Sequence, residues 1–113
     1  LLRAGHKVTV LDNLCRSHRT SVPPGASFIE AGIADRPVVE RLLRNDSFDG
    51  VLHFAALIEA GESMKSPERF FTNISAHTLQ FLEALLDCGV NRVVFSSTAA
   101  VYGNPERVPI EES

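Results

Sequence analysis

Three consecutive hydroxyl residues, Ser96, Ser97 and Thr98, follow an apolar run that ends at Phe95. The only tyrosine of the chain, Tyr102, stands four residues beyond Thr98. Hydroxyls both donate and accept hydrogen bonds, so such a cluster suits a sugar hydroxyl that loses its proton on becoming a carbonyl. The same side chains would also serve to satisfy open backbone groups at a strand end. A second candidate is Asp12, followed by Asn13. A carboxylate at a strand's carboxyl end can accept from both ribose hydroxyls of an adenine dinucleotide, and its charge repels a 2′-phosphate. Asp-Asn is equally a common turn former.

Two further stretches are poor in side-chain bulk. Ala31, Gly32 and Ile33 could let a flat ring lie against the backbone, with Ile33 covering one face, or could simply form a turn. Ala55 and Ala56, within "HFAALIEAGES", permit close approach of a pyrophosphate or a ribose. His53, just before them, reads as a core histidine. The other three histidines, His6, His18 and His77, stand at no metal-ligand spacing to it, so no metal site is expected. Glu62 and Ser63 read as loop or cap residues.

These groups need elements to hold them. Strands are expected over 6–12, 27–33, 48–56 and 91–97, from β-branched and apolar runs bounded by turn residues. Asp35 and Pro37 should open a helix with Val38, Val39, Leu42 and Leu43 on its apolar face. A longer helix is expected over roughly 67–88, capped by Ser66, with Phe70, Ile74, Phe81, Leu85 and Cys88 on one stripe and Gly89 as its stop. Phe71, Leu79, Leu82 and Leu86 widen that stripe enough to suggest a partner subunit. The near-continuous apolar run 48–56 suits burial on both faces. Strand, helix, strand, helix, strand is the pattern of a parallel α/β sheet, whose ligands sit beyond the carboxyl ends of the strands. Asp12, Gly32, Ala55 and Thr98 all fall there.

Composition excludes more than it identifies. A net charge of −3 provides no basic footprint for nucleic acid. No run approaches the ~20 apolar residues of a membrane span. Cys15 and Cys88 form no CxxC pair, which favours a reducing, cytoplasmic setting. "LLRAG" at 1–5 reads as a helix's last turn, with Leu1 and Leu2 towards a core and Gly5 as a left-handed stop, and the chain closes in a loop at "PERVPIEES". Residues 1–113 are therefore expected to be an internal part of one larger domain.

The stretches "VTVLDNL", "HFAALIEAGES", "SPERFFTN" and "VVFSSTAAVYG" occur in an order and at spacings that resemble the extended short-chain dehydrogenase/reductase family, in its NAD-dependent epimerase/dehydratase branch. The resemblance covers essentially the whole chain. It implies a partial Rossmann-type, doubly wound parallel sheet that binds NAD, with the first strand, its Gly-rich loop and a carboxyl-terminal UDP-sugar domain outside 1–113. It further implies NAD-dependent inversion at C4 of a UDP-hexose, UDP-glucose or UDP-galactose, through a transient 4-keto sugar, by a homodimer. By the same resemblance Asp12 and Asn13 hold the adenosine ribose, with the loop from Leu14 to Ser17 continuing round it. Gly32 and Ile33 flank the adenine, Phe54, Ala55 and Ala56 line the phosphates and nicotinamide ribose, and Asn73 faces the cofactor. Thr98 is the family's catalytic hydroxyl, and Ser96 and Ser97 shape the strand end.

Tyr102 is not the family's base. That tyrosine belongs to a YxxxK pair in which the ammonium lowers the phenol's pKa, and here Glu106 stands four residues on. The pair is expected beyond Ser113. Other departures are Ala31-Gly32 in place of Gly-Asp, where Asp35 could substitute, Ile58 in place of a lysine, and His77 in place of a glycine. Competing readings are another NAD-dependent nucleotide-sugar epimerase or dehydratase, and a non-catalytic dinucleotide sensor. In the strand order 3-2-1-4-5-6 the missing first strand lies between the first and third strands read here, so a slot is expected at mid-sheet.

Overall fold

In the computed structural model, residues 1–104 and 107–110 are described, and β strands appear as two separate parallel pairs. β1 (Thr9–Asp12) pairs with β2 (Ser27–Glu30), running from Thr9 opposite Ser27 to Asp12 opposite Glu30. β3 (Val51–His53) pairs with β4 (Val93–Phe95), from Val51 opposite Val93 to His53 opposite Phe95. Among the described residues no ladder joins β1 to β3, as expected for a sheet lacking its middle strand. Each strand is shorter than its apolar run. A ladder persists only where a partner residue stands opposite, and each strand here has one neighbour.

Helix α1 (Arg36–Asn45) starts where local chemistry places it. The Asp35 carboxylate accepts from the Val38 amide at 3.3 Å, and proline occupies the first turn. Its buried face is Val39 and Leu43. The expected helix over 67–88 is instead a composite: α3 (Pro67–Phe70), a π-helical stretch (Phe71–His77) and α4 (Thr78–Asp87). A π turn carries an extra residue per turn and so rotates everything before it relative to α4. Phe70, Phe81 and Leu85 stay buried, but Ile74 is turned out of the stripe. Ser66 precedes α3 without a side-chain cap bond, so Pro67 alone marks that start. Gly89 ends α4 at φ 77°, a left-handed geometry that suits glycine. The segment 57–66, expected as a loop, contains one short helical turn, α2 (Ala60–Ser63).

α1 and α4 pack together on one face of both strand pairs. Val39, Leu43, Phe81, Ala84, Leu85 and Val90 form the buried cluster, joined by Leu11 of β1 and Ile33 just beyond β2, and by Val51 of β3 and Val93 of β4. This shared core, not a ladder, holds the two sheets in one frame. Arg36 reinforces it at the surface, bonding Glu40 within α1 and Asp87 on α4. Its guanidinium holds the Glu40 carboxyl below the usual carboxylate range. The opposite face of the β3–β4 pair is bare, contrary to the expectation of two-sided burial: Leu52 and Val94 are 45% and 61% exposed, because both helices lie on the other side. Gly5 does end a short helical turn at φ 83°, but Leu1 points to solvent instead of a core.

Candidate functional site

Asp12 is the last residue of β1, and its side chain organises the loop that follows. Oδ1 accepts from the Leu14 amide and from Ser17 Oγ, both at 2.7 Å. Leu14 takes φ 56°, a left-handed turn that bends the chain back over the strand end. Asn13 makes the next turn, its Oδ1 accepting from the Cys15 amide at 3.1 Å. A cavity of about 140 Å³ lies under this loop, lined by Asp12, Leu14, Ser17 and His18 among others. From β2's end, Gly32 comes close: a Cβ built there would sit 3.7 Å from Asn13 Nδ2. Ile33 packs against the buried cluster. Asp12, Asn13, Ser17 and Gly32 are therefore neighbours in space. Asp35, the possible substitute for the family's carboxylate, is engaged as the cap of α1.

The carboxyl end of β3 is pinned from beneath. His53, only 4% exposed, accepts at Nδ1 from the Ala55 amide at 3.2 Å and meets Thr78 Oγ1 through Nε2 at 3.2 Å. An acceptor Nδ1 fixes the neutral tautomer with its proton on Nε2, so His53 donates to Thr78. Phe81 and Phe95 press their rings against it edge-on, at 5.6 and 5.1 Å between centroids. Burial pushes the imidazole's pKa down. The core-histidine reading holds, and the residue also shapes the loop above it. Asn73, the third residue of the π-helical stretch, accepts from the Leu57 amide at 3.0 Å through Oδ1. It clamps the same loop one turn further on.

Phe54, Ala55 and Ala56 emerge from these anchors exposed to solvent. With His53, Ser96 and Ser97 they line a cavity of about 90 Å³. The Ser96 amide donates to the His53 carbonyl at 3.0 Å, one residue past β4. Thr98 is the next residue but one, exposed and outside that lining, and it leads into a short turn, Ala99–Tyr102. Tyr102 is half exposed. Glu106 lies outside the described residues. No group of three His, Cys, Asp or Glu suited to a metal occurs among the described residues, and no helix there is long and apolar enough to cross a membrane.

Sequence reasoning missed an ion-pair cluster over these loops. Arg16 Nε lies 3.1 Å from Glu59 Oε1, while its Nη2 pairs with Glu62. Opposite charges at positions 16, 59 and 62 were the available signal, but only the fold makes them adjacent.

The His53 anchor makes a pH prediction. A protonated Nδ1 cannot accept from Ala55, so the folded state resists a proton that the unfolded chain takes up near pH ~6.5. Stability from this group is present above that value and is lost as pH falls below it. In the full-length protein, the melting temperature should drop between pH 7.5 and 5.5 by more than in a His53→Gln variant. That variant should itself be less stable at pH 7.5 by about 1–2 kcal/mol. Parallel pH profiles for the two proteins would count against the anchor.

The chain matches the NAD dependent epimerase/dehydratase family over residues 1–113. It is 50% identical over 114 residues to UDP-glucose 4-epimerase of Streptomyces lividans, covering 100% of this chain and 35% of that protein. It is 38% identical over 122 residues to probable UDP-arabinose 4-epimerase 3 of Oryza sativa subsp. japonica, covering 100% of this chain and 30% of that protein. A crystal structure of UDP-glucose-4-epimerase from Stenotrophomonas maltophila, with bound NAD and formylated UDP-arabinopyranose, superposes with a TM-score of 0.89 at 38% identity. That match covers 100% of this chain and 36% of the other. The chain thus spans about a third of the length of the curated relatives it matches.

Proposed function

Because the chain belongs to the NAD dependent epimerase/dehydratase family, we propose that residues 1–113 form part of one NAD-binding Rossmann domain in a protein that inverts C4 of a UDP-hexose. The observation that carries this reading is the position of two built loop ends. Asp12 with Ser17, and His53 through Ser97, both stand at the carboxyl ends of parallel strands.

The residues fit a dinucleotide. Asp12 spends Oδ1 on its own loop, and among the described residues Oδ2 has no hydrogen bond, so it is open to a ribose hydroxyl. Asn13 and Gly32 border the same point, where a Cβ on Gly32 would stand in ordinary van der Waals contact with Asn13. Ile33 backs that corner for the adenine. Phe54, Ala55 and Ala56 offer backbone and small side chains to the phosphates and the second ribose. Asn73 acts on the cofactor indirectly as well, by fixing the Leu57 end of that loop.

Bound NAD would supply the acceptor and donor of hydride, with no net oxidation of the sugar. Thr98 holds the reacting sugar oxygen by its hydroxyl, while Ser96 and Ser97 set the strand end that presents it. Tyr102 is not assigned the proton transfer, since the residue four places on is Glu106 instead of a lysine. We place the protein in the cytoplasm as a homodimer, with the exposed side of the 71–86 helical run, Phe71, Leu79 and Leu86, covered by a second copy.

The full-length protein, purified and then denatured, should release NAD, and before denaturation it should convert UDP-galactose to UDP-glucose. Thr98→Ala should retain NAD and lose about 100-fold in kcat, the cost of one lost transition-state hydrogen bond. A protein that carries no NAD and leaves UDP-galactose unchanged would overturn the proposal.

A further inference from the structure

We infer that Arg16 is a clasp across the dinucleotide cleft, a positioning residue that governs how fast the cofactor enters and leaves. This rests on the NAD site proposed above and adds a role for a side chain of its loop that was given no contact with the cofactor.

Arg16 sits in the loop that Asp12 bends back through Leu14 and Ser17. Its guanidinium reaches the segment beyond β3, where Glu59 takes Nε and Glu62, in the single turn of α2, takes Nη2. Arg16 stands 46 residues before Glu62 in sequence, and among the described residues no ladder joins the two strand pairs that the loops follow. The clasp starts four residues after Asp12 and ends three residues after Ala56, so it bridges the two loops assigned to the two halves of the cofactor. A dinucleotide lying from Asp12 to Ala55 runs along that edge, and it passes the bridge on the way in or out.

The cluster is half exposed at every member: the side chains of Arg16, Glu59 and Glu62 are 44%, 35% and 43% accessible. Exposed ion pairs add little to folding stability. Their effect falls instead on a step that separates the two loops, and salt weakens it. Two carboxylates engage different nitrogens of one planar guanidinium, a geometry that lysine's single ammonium cannot reproduce.

The test follows NAD release from the full-length holoenzyme by stopped-flow, with excess unlabelled cofactor chasing a fluorescent NAD analogue. Arg16→Gln should release it about five-fold faster. Release from the parent should quicken with added sodium chloride, and release from the variant should not. Glu59→Gln with Glu62→Gln should match Arg16→Gln, and combining all three should add nothing. Arg16→Lys should fall between parent and Arg16→Gln. Unchanged release in Arg16→Gln, or effects that add across the two loops, would overturn the clasp while leaving the NAD site intact. A parent protein that binds no analogue removes the site and the clasp together.

Discussion

Asp12→Ala is expected to strip the full-length protein of its dinucleotide. In the proposed binding mode the carboxylate accepts from the adenosine ribose, and charge-assisted hydrogen bonds of this kind contribute about 1.5–3 kcal/mol each. Losing two of them costs about 3 kcal/mol or more, at least two orders of magnitude in Kd. The loop compounds the loss. Leu14 N–H and Ser17 Oγ both depend on Oδ1, so alanine also frees the segment that encloses the 140 Å³ cavity. Asp12→Asn separates the two effects. Its amide oxygen keeps an acceptor for Leu14 and preserves the turn, but it removes the charge. That variant should bind NAD more weakly than the parent and more tightly than Asp12→Ala. It should also lose much of its discrimination against NADP, because the 2′-phosphate no longer meets a negative group. Calorimetric titration of cofactor-depleted protein with NAD and with NADP measures both. An Asp12→Ala protein that binds NAD as tightly as the parent sinks the assignment of the ribose site.

How much of this was legible in the chain depends on how local each device is. Asp35, Pro37, Gly5 and Gly89 act within one turn of themselves, and each does what its type suggests: cap, first-turn residue or left-handed stop. Asp12 was visible as a candidate because a carboxylate at a strand's carboxyl end can meet a ribose, although Asp-Asn reads equally as a turn former. Its bonds to Leu14 and Ser17 follow from the two- and five-residue spacing once the turn forms. The π-helical stretch left no mark in composition. Within it Asn73 accepts from the Leu57 amide, a contact across sixteen positions that only the tertiary structure supplies. The bond from the Ala55 amide to His53 spans only two residues, but the burial of the ring and its contact with Thr78 on α4 come from the tertiary structure. Arg16 was the hardest case. Its partners lie beyond two strands and a helix, and charge alone does not say which of several acids an arginine will meet. Apolar runs state a demand for burial without saying what meets it, so the bare face at Leu52 and Val94 could not be foreseen.

That bare face sets the second large effect: residues 1–113 expressed alone should show no cooperative unfolding transition. A compact monomer of 12.3 kDa exposes about 6,100 Å² by the usual scaling with mass. The chain exposes 8712 Å². Its radius of gyration is 15.9 Å, against about 13 Å for a compact chain of this length. The excess is apolar to a large extent. Leu52, Phe54, Val94 and Phe95 lie open around the second strand pair, and Phe71, Leu79 and Leu86 lie open along the helical run. Among the described residues each of the four strands also has one edge with no strand paired to it, a row of N–H and C=O groups that invites association. The fully formed core is a single cluster of six buried residues between α1, α4 and the strands. It must offset the ordering entropy of the whole chain, at ~1.5 kcal/mol per residue. A cluster of that size does not do so unless the slot between β1 and β3 is filled and the bare faces are covered. The isolated chain should therefore bind a hydrophobic dye, lose its signal gradually in urea, and gain nothing from NAD. The full-length protein, by contrast, should unfold in a sharp transition that NAD moves to higher urea. A steep urea transition for 1–113 alone, shifted upward by NAD, would mean that the α1–α4 core is sufficient and that the two strand pairs do not need a strand between them.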